Sequence, residues 1–180
     1  TGSSQYAVQL KSESAMGVLA AGSHFVGTFQ ELVGIKGAKI NFGKPYDSKP
    51  LTMKGYLSYS PAEITKTKSP YGDLKGKMDI CQIYVVLADW PGGYFAVNTA
   101  SDPKVLINPA EGADPYIIGY GSIEYNVNTN GYIEFEIPIE YRNDRVPTCC
   151  TIVCSSSKYG DYFTGGPGSV LLVDEFEFTF

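Results

Sequence analysis

The clearest pattern in the chain is the run from Tyr132 to Tyr141, where Ile133, Phe135, Ile137, Ile139 and Tyr141 fall on one side of a two-residue repeat and Glu134, Glu136 and Glu140 on the other. Strict alternation of this kind predicts a half-buried β-strand. Pro138 has no N–H to give to a ladder, which assigns it to an edge or a bulge. The run from Met78 to Trp90 is apolar on both faces from Ile83 onward, the pattern of a central strand covered on both sides. Further strands are expected at Tyr6–Lys11, His24–Phe29, Leu51–Ser60, Tyr94–Asn98, Val105–Ile107, Tyr116–Asn126, Thr148–Ser155 and Ser169–Phe180. Between them lies turn chemistry: Gly43 to Pro45, Ser60-Pro61, Pro91 to Gly93, Asp102-Pro103, Asn108-Pro109 and Asn130-Gly131. Asn130-Gly131 is the strongest hairpin signal and is expected to join the strands on either side of it. A helical turn is expected around Ala15–Ala21 or Pro61–Thr65. About ten short strands with almost no helical period predict an all-β fold, an antiparallel β-sandwich.

The last strand breaks its own pattern. Phe176, Phe178 and Phe180 alternate with polar residues, yet the same register carried backward puts Asp174 on the apolar face with Leu172 and Val170. A buried carboxylate is costly without a partner, so either a bulge turns Asp174 outward or it meets a cation or backbone donors. Asp174 is therefore the candidate metal ligand, with calcium as the ion.

With 180 residues the chain suits one domain, spanning 1–180, with no linker or internal repeat. Its 14 basic and 19 acidic residues leave a formal charge of −5, which argues against nucleic acid and anionic membranes as partners. No apolar run is long enough for a transmembrane helix. Residues Thr1 to Ser4 lack the features of an export signal, so either the chain is not exported or a signal was removed ahead of it. Cys150 and Cys154 are four strand steps of about 3.3 Å apart, too far for a disulfide, and free buried thiols are expected, with a bridge from Cys81 as the alternative.

The single histidine, His24, removes most nucleophilic triads and any zinc site that needs two imidazoles. The glycines at 160, 165, 166 and 168 are followed by no Lys-Ser/Thr pair, so they do not read as a phosphate loop. Asp89, Asp102, Asp161, Asp174 and Glu175 could supply the acid and base of a glycoside hydrolase, at separations that sequence does not show. Loop aromatics carry more information. The segment Asp89 to Phe95 sets Trp90 and Tyr94 beside a turn, and Lys158 to Phe163 sets Tyr159, Asp161 and Tyr162 in a glycine-flanked loop. Flat rings beside carboxylates suit sugars, because a ring face takes the C–H face of a pyranose while polar groups bind its hydroxyls. The alternative is that these rings pack: Trp90 as a cap on the core, the tyrosines beneath their loop. If the rings bind, Tyr159, Asp161 and Tyr162 form the glycan contact, Asp161 pointing between the two rings, with Trp90 and Tyr94 as a second wall.

Several segments carry a resemblance. Ser23–Phe29, Phe42–Tyr46, Lys49–Tyr59, Asp79–Leu87, the run Ser155 to Gly166 and Val173–Phe176, in that order, resemble the putative carbohydrate metabolism domain of Bacteroidetes surface proteins. The Ser155–Gly166 run is the most specific of them. The resemblance implies a jelly-roll sandwich similar to carbohydrate-binding modules, exported and held at the cell surface. Such domains usually open with a further segment, and the resemblance implies that this chain begins after it. Together these readings predict a noncatalytic module that binds a polysaccharide or oligosaccharide outside the cell, with a carboxylate-pair hydrolase or a structural spacer as alternatives.

Overall fold

The structure is a computed structural model that describes residues 6–180, so the opening residues 1–4 discussed above lie outside it. The chain begins with β1 (Val8–Lys11), folds into the hairpin β2 (Glu13–Ala15) and β3 (Val18–Ala20), and returns through β4 (Ser23–Phe25). A second hairpin, β5 (Gly27–Leu32) and β6 (Ala38–Phe42), precedes the short β7 (Lys44–Pro45) and the long β8 (Thr52–Ser60). Then come β9 (Cys81–Ala88), β10 (Phe95–Asn98), β11 (Ile117–Tyr125), β12 (Ile133–Pro138), β13 (Glu140–Tyr141), β14 (Cys149–Ser155) and β15 (Val170–Thr179).

Two antiparallel sheets dominate, with the orders β1-β15-β8-β12 and β13-β11-β9-β14-β4. Taking the eight strands β1, β4, β8, β9, β11, β12, β14 and β15 in chain order, every step crosses from one sheet to the other except the step from β9 to β11. The first sheet then holds the first, eighth, third and sixth of them, and the second sheet the second, seventh, fourth and fifth. That is the double Greek key of a jelly roll.

The core lies between these sheets and follows from alternation. Met53, Leu57 and Tyr59 of β8 meet Ile83, Val85 and Leu87 of β9, with Phe135 and Ile137 of β12 and Leu171 and Val173 of β15 closing the layer. Gly55 falls on the same face of β8 because Phe176 and Phe135 need the space: a Cβ there would lie 2.6 Å and 2.9 Å from their rings. Cys81, Cys150 and Cys154 are in this core, and all four cysteines are buried and unbridged. The other face of β9 is covered too. Phe95 and Ile107 pack on Val86 and Ala88, and the ribbon β10-β6-β5 lies over this side. That double coverage is why β9 reads as apolar on both faces.

Several local expectations need correction. Ala15–Ala21 is not a helical turn: Met16 (φ 50°) and Gly17 (φ 84°) form a two-residue hairpin turn with both residues left-handed, a geometry that Met rarely adopts. Pro61–Thr65 is not helical either. Asn130-Gly131 does not close a hairpin, because β11 and β12 lie in opposite sheets. The turn is pinned to the end of β8, where the Thr129 N–H donates to the Tyr59 carbonyl and the Thr129 hydroxyl accepts the Tyr59 N–H, both at 3.0 Å, so β12 runs back along β8. Val105–Ile107 contributes one bridge, Asn98 to Val105, rather than a strand. Pro138 sits on an edge strand, and Phe180 is exposed at the chain end.

One buried charge joins the ends of many of these elements. Asp79, fully buried, accepts from the Ser157 hydroxyl (2.6 Å), the Gly166 amide (2.7 Å) and the Ser169 hydroxyl (2.9 Å) on Oδ2, and from the Ile80 amide (2.8 Å) on Oδ1. Ser12, at the end of β1, lies 2.8 Å and 2.6 Å from the Ser156 and Ser157 hydroxyls. Burial pushes the pKa of Asp79 above the usual carboxylate value, while its four donors pull the other way.

Replacing this carboxylate should cost far more than a surface change. Asp79→Ala leaves four donors without an acceptor, and we expect a loss of about 3 kcal/mol in urea unfolding, with Asp79→Asn losing less. The pH dependence has a defined sign. Because the folded-state pKa is raised, ionisation of Asp79 opposes folding, so wild type gains on Asp79→Asn as pH falls through the raised value toward 3.8. A stability gap that is flat over this window, or that moves against wild type as pH falls, would contradict the assignment.

Candidate functional site

Two clefts contain the residues singled out by sequence, and they are built differently. The first is formed by the loops at the end of β9. Residues Val86, Ala88 and Trp90 share the outer face of that strand by alternation, so Trp90 arrives packed on Phe95, with ring centroids 5.4 Å apart. It is 3% exposed and belongs to the outer core, which is the capping role. Its edge nevertheless lines a cleft of about 330 Å³ with Tyr94, Phe95, Asn108, Asp114 and Tyr116. Tyr94 and Tyr116 are each 42% exposed.

Asp114 is held in place at both oxygens. Oδ2 accepts the indole N–H of Trp90 at 2.8 Å and Oδ1 accepts the backbone N–H of Tyr116 at 2.9 Å. A carboxylate has about four lone-pair positions, so two remain available as acceptors. The loop that carries these groups is clamped near both ends by arginines. Arg142 donates to the Pro109 carbonyl, and Arg145 donates to the Pro115 carbonyl at 2.5 Å while pairing with Asp89 at 2.6 Å. Sequence reading found Trp90 and Tyr94 but missed Asn108, Asp114 and Tyr116. Asn108-Pro109 read only as punctuation, and nothing in the spacing linked residue 114 to residue 90.

The second cleft lies on the outer face of the larger sheet. The loop after β14 forms a single 3₁₀ turn, Gly160–Tyr162. Tyr159 and Tyr162 do not leave a slot for Asp161. The ring of Tyr71 occupies that space, 4.3 Å from Tyr159 and 5.0 Å from Tyr162, and Asp161 instead lines a cavity of about 510 Å³ on the other side. Gly160 is needed less for bending than for closeness, since a Cβ would come within 2.3 Å of Ala21. Asp161 is open to solvent, yet the protein around its carboxyl displaces enough water to push its pKa up, with Lys104 pulling it back. Lys158 pairs with Glu124 at 2.7 Å, and Gln82 donates to the same carboxylate oxygen at 3.1 Å. Burial draws the Lys158 pKa down, but Glu124 more than offsets this and the net shift is upward. The structure thus groups Trp90 with Tyr94, groups Tyr159 with Tyr162, and sets Asp161 apart from both.

Asp174 takes the bulge alternative. The register of β15 against β8 shifts between Asp174 and Glu177, Glu175 adopts φ 52°, and Asp174 Oδ1 accepts the Glu175 amide at 2.9 Å. Among the described residues no three His, Cys, Asp or Glu side chains converge at one point. Asp174 and Glu175 do line a shallow cleft of about 260 Å³ together with His24.

Comparison with known proteins agrees with this architecture. The family model of the putative carbohydrate metabolism domain matches residues 1–179. A putative glycoside hydrolase from Bacteroides thetaiotaomicron has a similar structure at 22% identity and a TM-score of 0.74, covering 100% of this chain and 55% of that one. A putative glycoside hydrolase from Bacteroides vulgatus is similar at 22% identity and a TM-score of 0.76, covering 96% of this chain and 72% of that one. This chain therefore spans about half the length of the first, and at such identity the likeness establishes the fold. No curated protein matches the chain. Among the described residues no helix is long and apolar enough to cross a membrane.

The fixed Asp114 can be tested through Trp90, the single tryptophan of the chain. Asp114→Ala leaves a buried indole N–H without an acceptor. It should lower stability by about 1–3 kcal/mol and shift Trp90 fluorescence to the red, whereas wild type should emit as a buried indole and resist acrylamide quenching. Quenching in wild type at the rate of a free indole would refute the placement of Trp90.

Proposed function

The chain belongs to the putative carbohydrate metabolism domain family, and on that premise we propose that it is a noncatalytic module that binds polysaccharide or oligosaccharide through the Tyr94–Tyr116 cleft. The observation that carries this reading is the pairing of two half-exposed tyrosine rings with a fixed carboxylate in one cleft. Each ring face offers a surface for the C–H face of a pyranose, and the remaining lone pairs of Asp114 and the amide of Asn108 suit sugar hydroxyls. The arginine clamps on Pro109 and Pro115 support it further, because a cleft held in its binding shape spends less ordering entropy on the ligand. The reading includes an extracellular or cell-surface setting, where polymeric glycans are met.

A hydrolase is the competing reading, favoured by the names of the two similar structures. Hydrolysis by a carboxylate pair needs two carboxyl groups facing one another across the scissile bond, about 5–9.5 Å apart. The Tyr94–Tyr116 cleft is lined by one, Asp114, whereas the shallow cleft beside β1 is lined by both Asp174 and Glu175.

A glycan array run beside chromogenic glycosides separates these readings. Binding without turnover is expected, and Tyr94→Ala or Tyr116→Ala should each weaken the best array ligand by on the order of 1 kcal/mol or more, with melting temperature nearly unchanged because both rings are half outside. Turnover abolished by Asp174→Asn would replace this proposal with the hydrolase. Neither binding nor turnover would leave the structural spacer.

A further inference from the structure

The larger cavity has a chemistry of its own. Its walls are mainly apolar: Leu19 from β3, Phe25 from β4, Phe29 from β5, Ile40 from β6 and Phe163 from the loop after β14. Phe29 is 51% exposed, so the apolar wall continues to the mouth. At about 510 Å³ the volume lies within the range of small-molecule sites. Sugars fit such walls poorly, because most of their hydroxyls would face carbon.

Charge is concentrated at one point of this lining. Asp161 is the single carboxylate among the lining residues, and its side chain has no hydrogen bond or ion pair within the described residues. The cations near it are already engaged: Lys158 by Glu124 at 2.7 Å, and Lys104 by the Thr99 carbonyl. Tyr84, the other acid on this wall, is held neutral, its pKa raised by burial and then by Asp161 itself. An incoming cation would therefore meet an exposed carboxylate without a hydrogen-bonded partner beside an apolar surface, in competition with the nearby charge of Lys104. A carboxylate partly stripped of water gains most from a partner that brings both charge and N–H donors.

We propose that this cavity binds a small hydrophobic ammonium compound, an alkyl- or arylamine whose body lies along Phe25, Phe29 and Ile40 and whose –NH₃⁺ donates to Asp161. This is a second site, independent of the glycan reading, since none of its lining residues belongs to the Tyr94–Tyr116 cleft.

Three probes that share a body and differ in the head group decide it: 4-phenylbutylamine, 4-phenylbutanol and 4-phenylbutyrate, titrated by calorimetry at pH 7. The amine should bind the wild-type protein at least tenfold more tightly than the alcohol, and the acid least of all. Asp161→Asn should remove that preference by weakening the amine at least tenfold while leaving the alcohol within about twofold. Phe29→Ala, a change at an exposed ring, should weaken amine and alcohol together. Equal binding of the amine and the acid, an unchanged preference in Asp161→Asn, or no binding of any probe to the folded wild type would each overturn the proposal.

Discussion

The arrangement of this sandwich turns on one carboxylate that water cannot reach. Asp79 lies just ahead of β9, and its partners come from far along the chain: Ser157 at the end of β14, Gly166 in the following loop and Ser169 at the entry to β15. Ser12 extends the network to the end of β1, and the Tyr59 hydroxyl donates to the Ser156 carbonyl at 3.0 Å beside it. A charge in this position is tolerated only when all its donors are present together, so the network favours one mutual placement of those strand ends. The loop from Ser157 to Gly166 is fastened to the same oxygen at both ends. Its interior, with Tyr159, Asp161 and Tyr162, can therefore hold a single 3₁₀ turn with little regular structure of its own.

The loop of the other cleft is fixed by a different device. Arg142 and Arg145 follow β13 and reach backbone carbonyls at Pro109 and Pro115, so the positive groups sit beneath the loop and leave its rings facing out. This clamp is less complete than the Asp79 network. Asp89 Oδ1 and Arg142 Nη1 are buried without a partner among the described residues, and Arg145 is partly exposed. One loop is thus tied down by a saturated buried charge and the other by two arginines, one part-buried and one partly exposed.

The parts of this architecture that the sequence made readable are those governed by burial on one face. The Ile133–Tyr141 alternation, the doubly apolar run through β9 and the edge position of Pro138 all follow from local periodicity. The Asp174 anomaly was also local, since a register that fails by one residue is the mark of a bulge. What escaped notice depended on distant partners. Asn130-Gly131 carries hairpin chemistry, but Thr129 fastens the turn to Tyr59 on another strand. Tyr71 fills the space between Tyr159 and Tyr162 from a segment nearly ninety positions away in the chain. Asp114 gains its role only when the fold brings it to Trp90, and the β2–β3 hairpin turns on a left-handed Met16 that composition disguises.

The outer face of β9 connects the two clefts and also keeps them apart. Gln82 and Tyr84 line the larger cavity, Val86 and Ala88 lie in the middle, and Trp90 follows at the other cleft. Six strand steps of about 3.3 Å put Tyr84 and Trp90 about 20 Å apart. The intervening surface is not a channel, because Phe95 and Ile107 pack onto it. The two clefts nevertheless share a packed layer, because Phe95 and Leu106 of the Trp90 cleft pack in one cluster with Phe25, Ile40 and Tyr84 of the larger cavity, so substitutions that reach this cluster are expected to couple rather than add. A ligand in one cleft then affects the other only if the packed layer between them has a second arrangement, and a layer built on the closely packed Val86 and Ala88 gives little room for one. The jelly roll thus places a sealed core on one side of β9 and, on the other, two clefts of different lining joined by one packed layer.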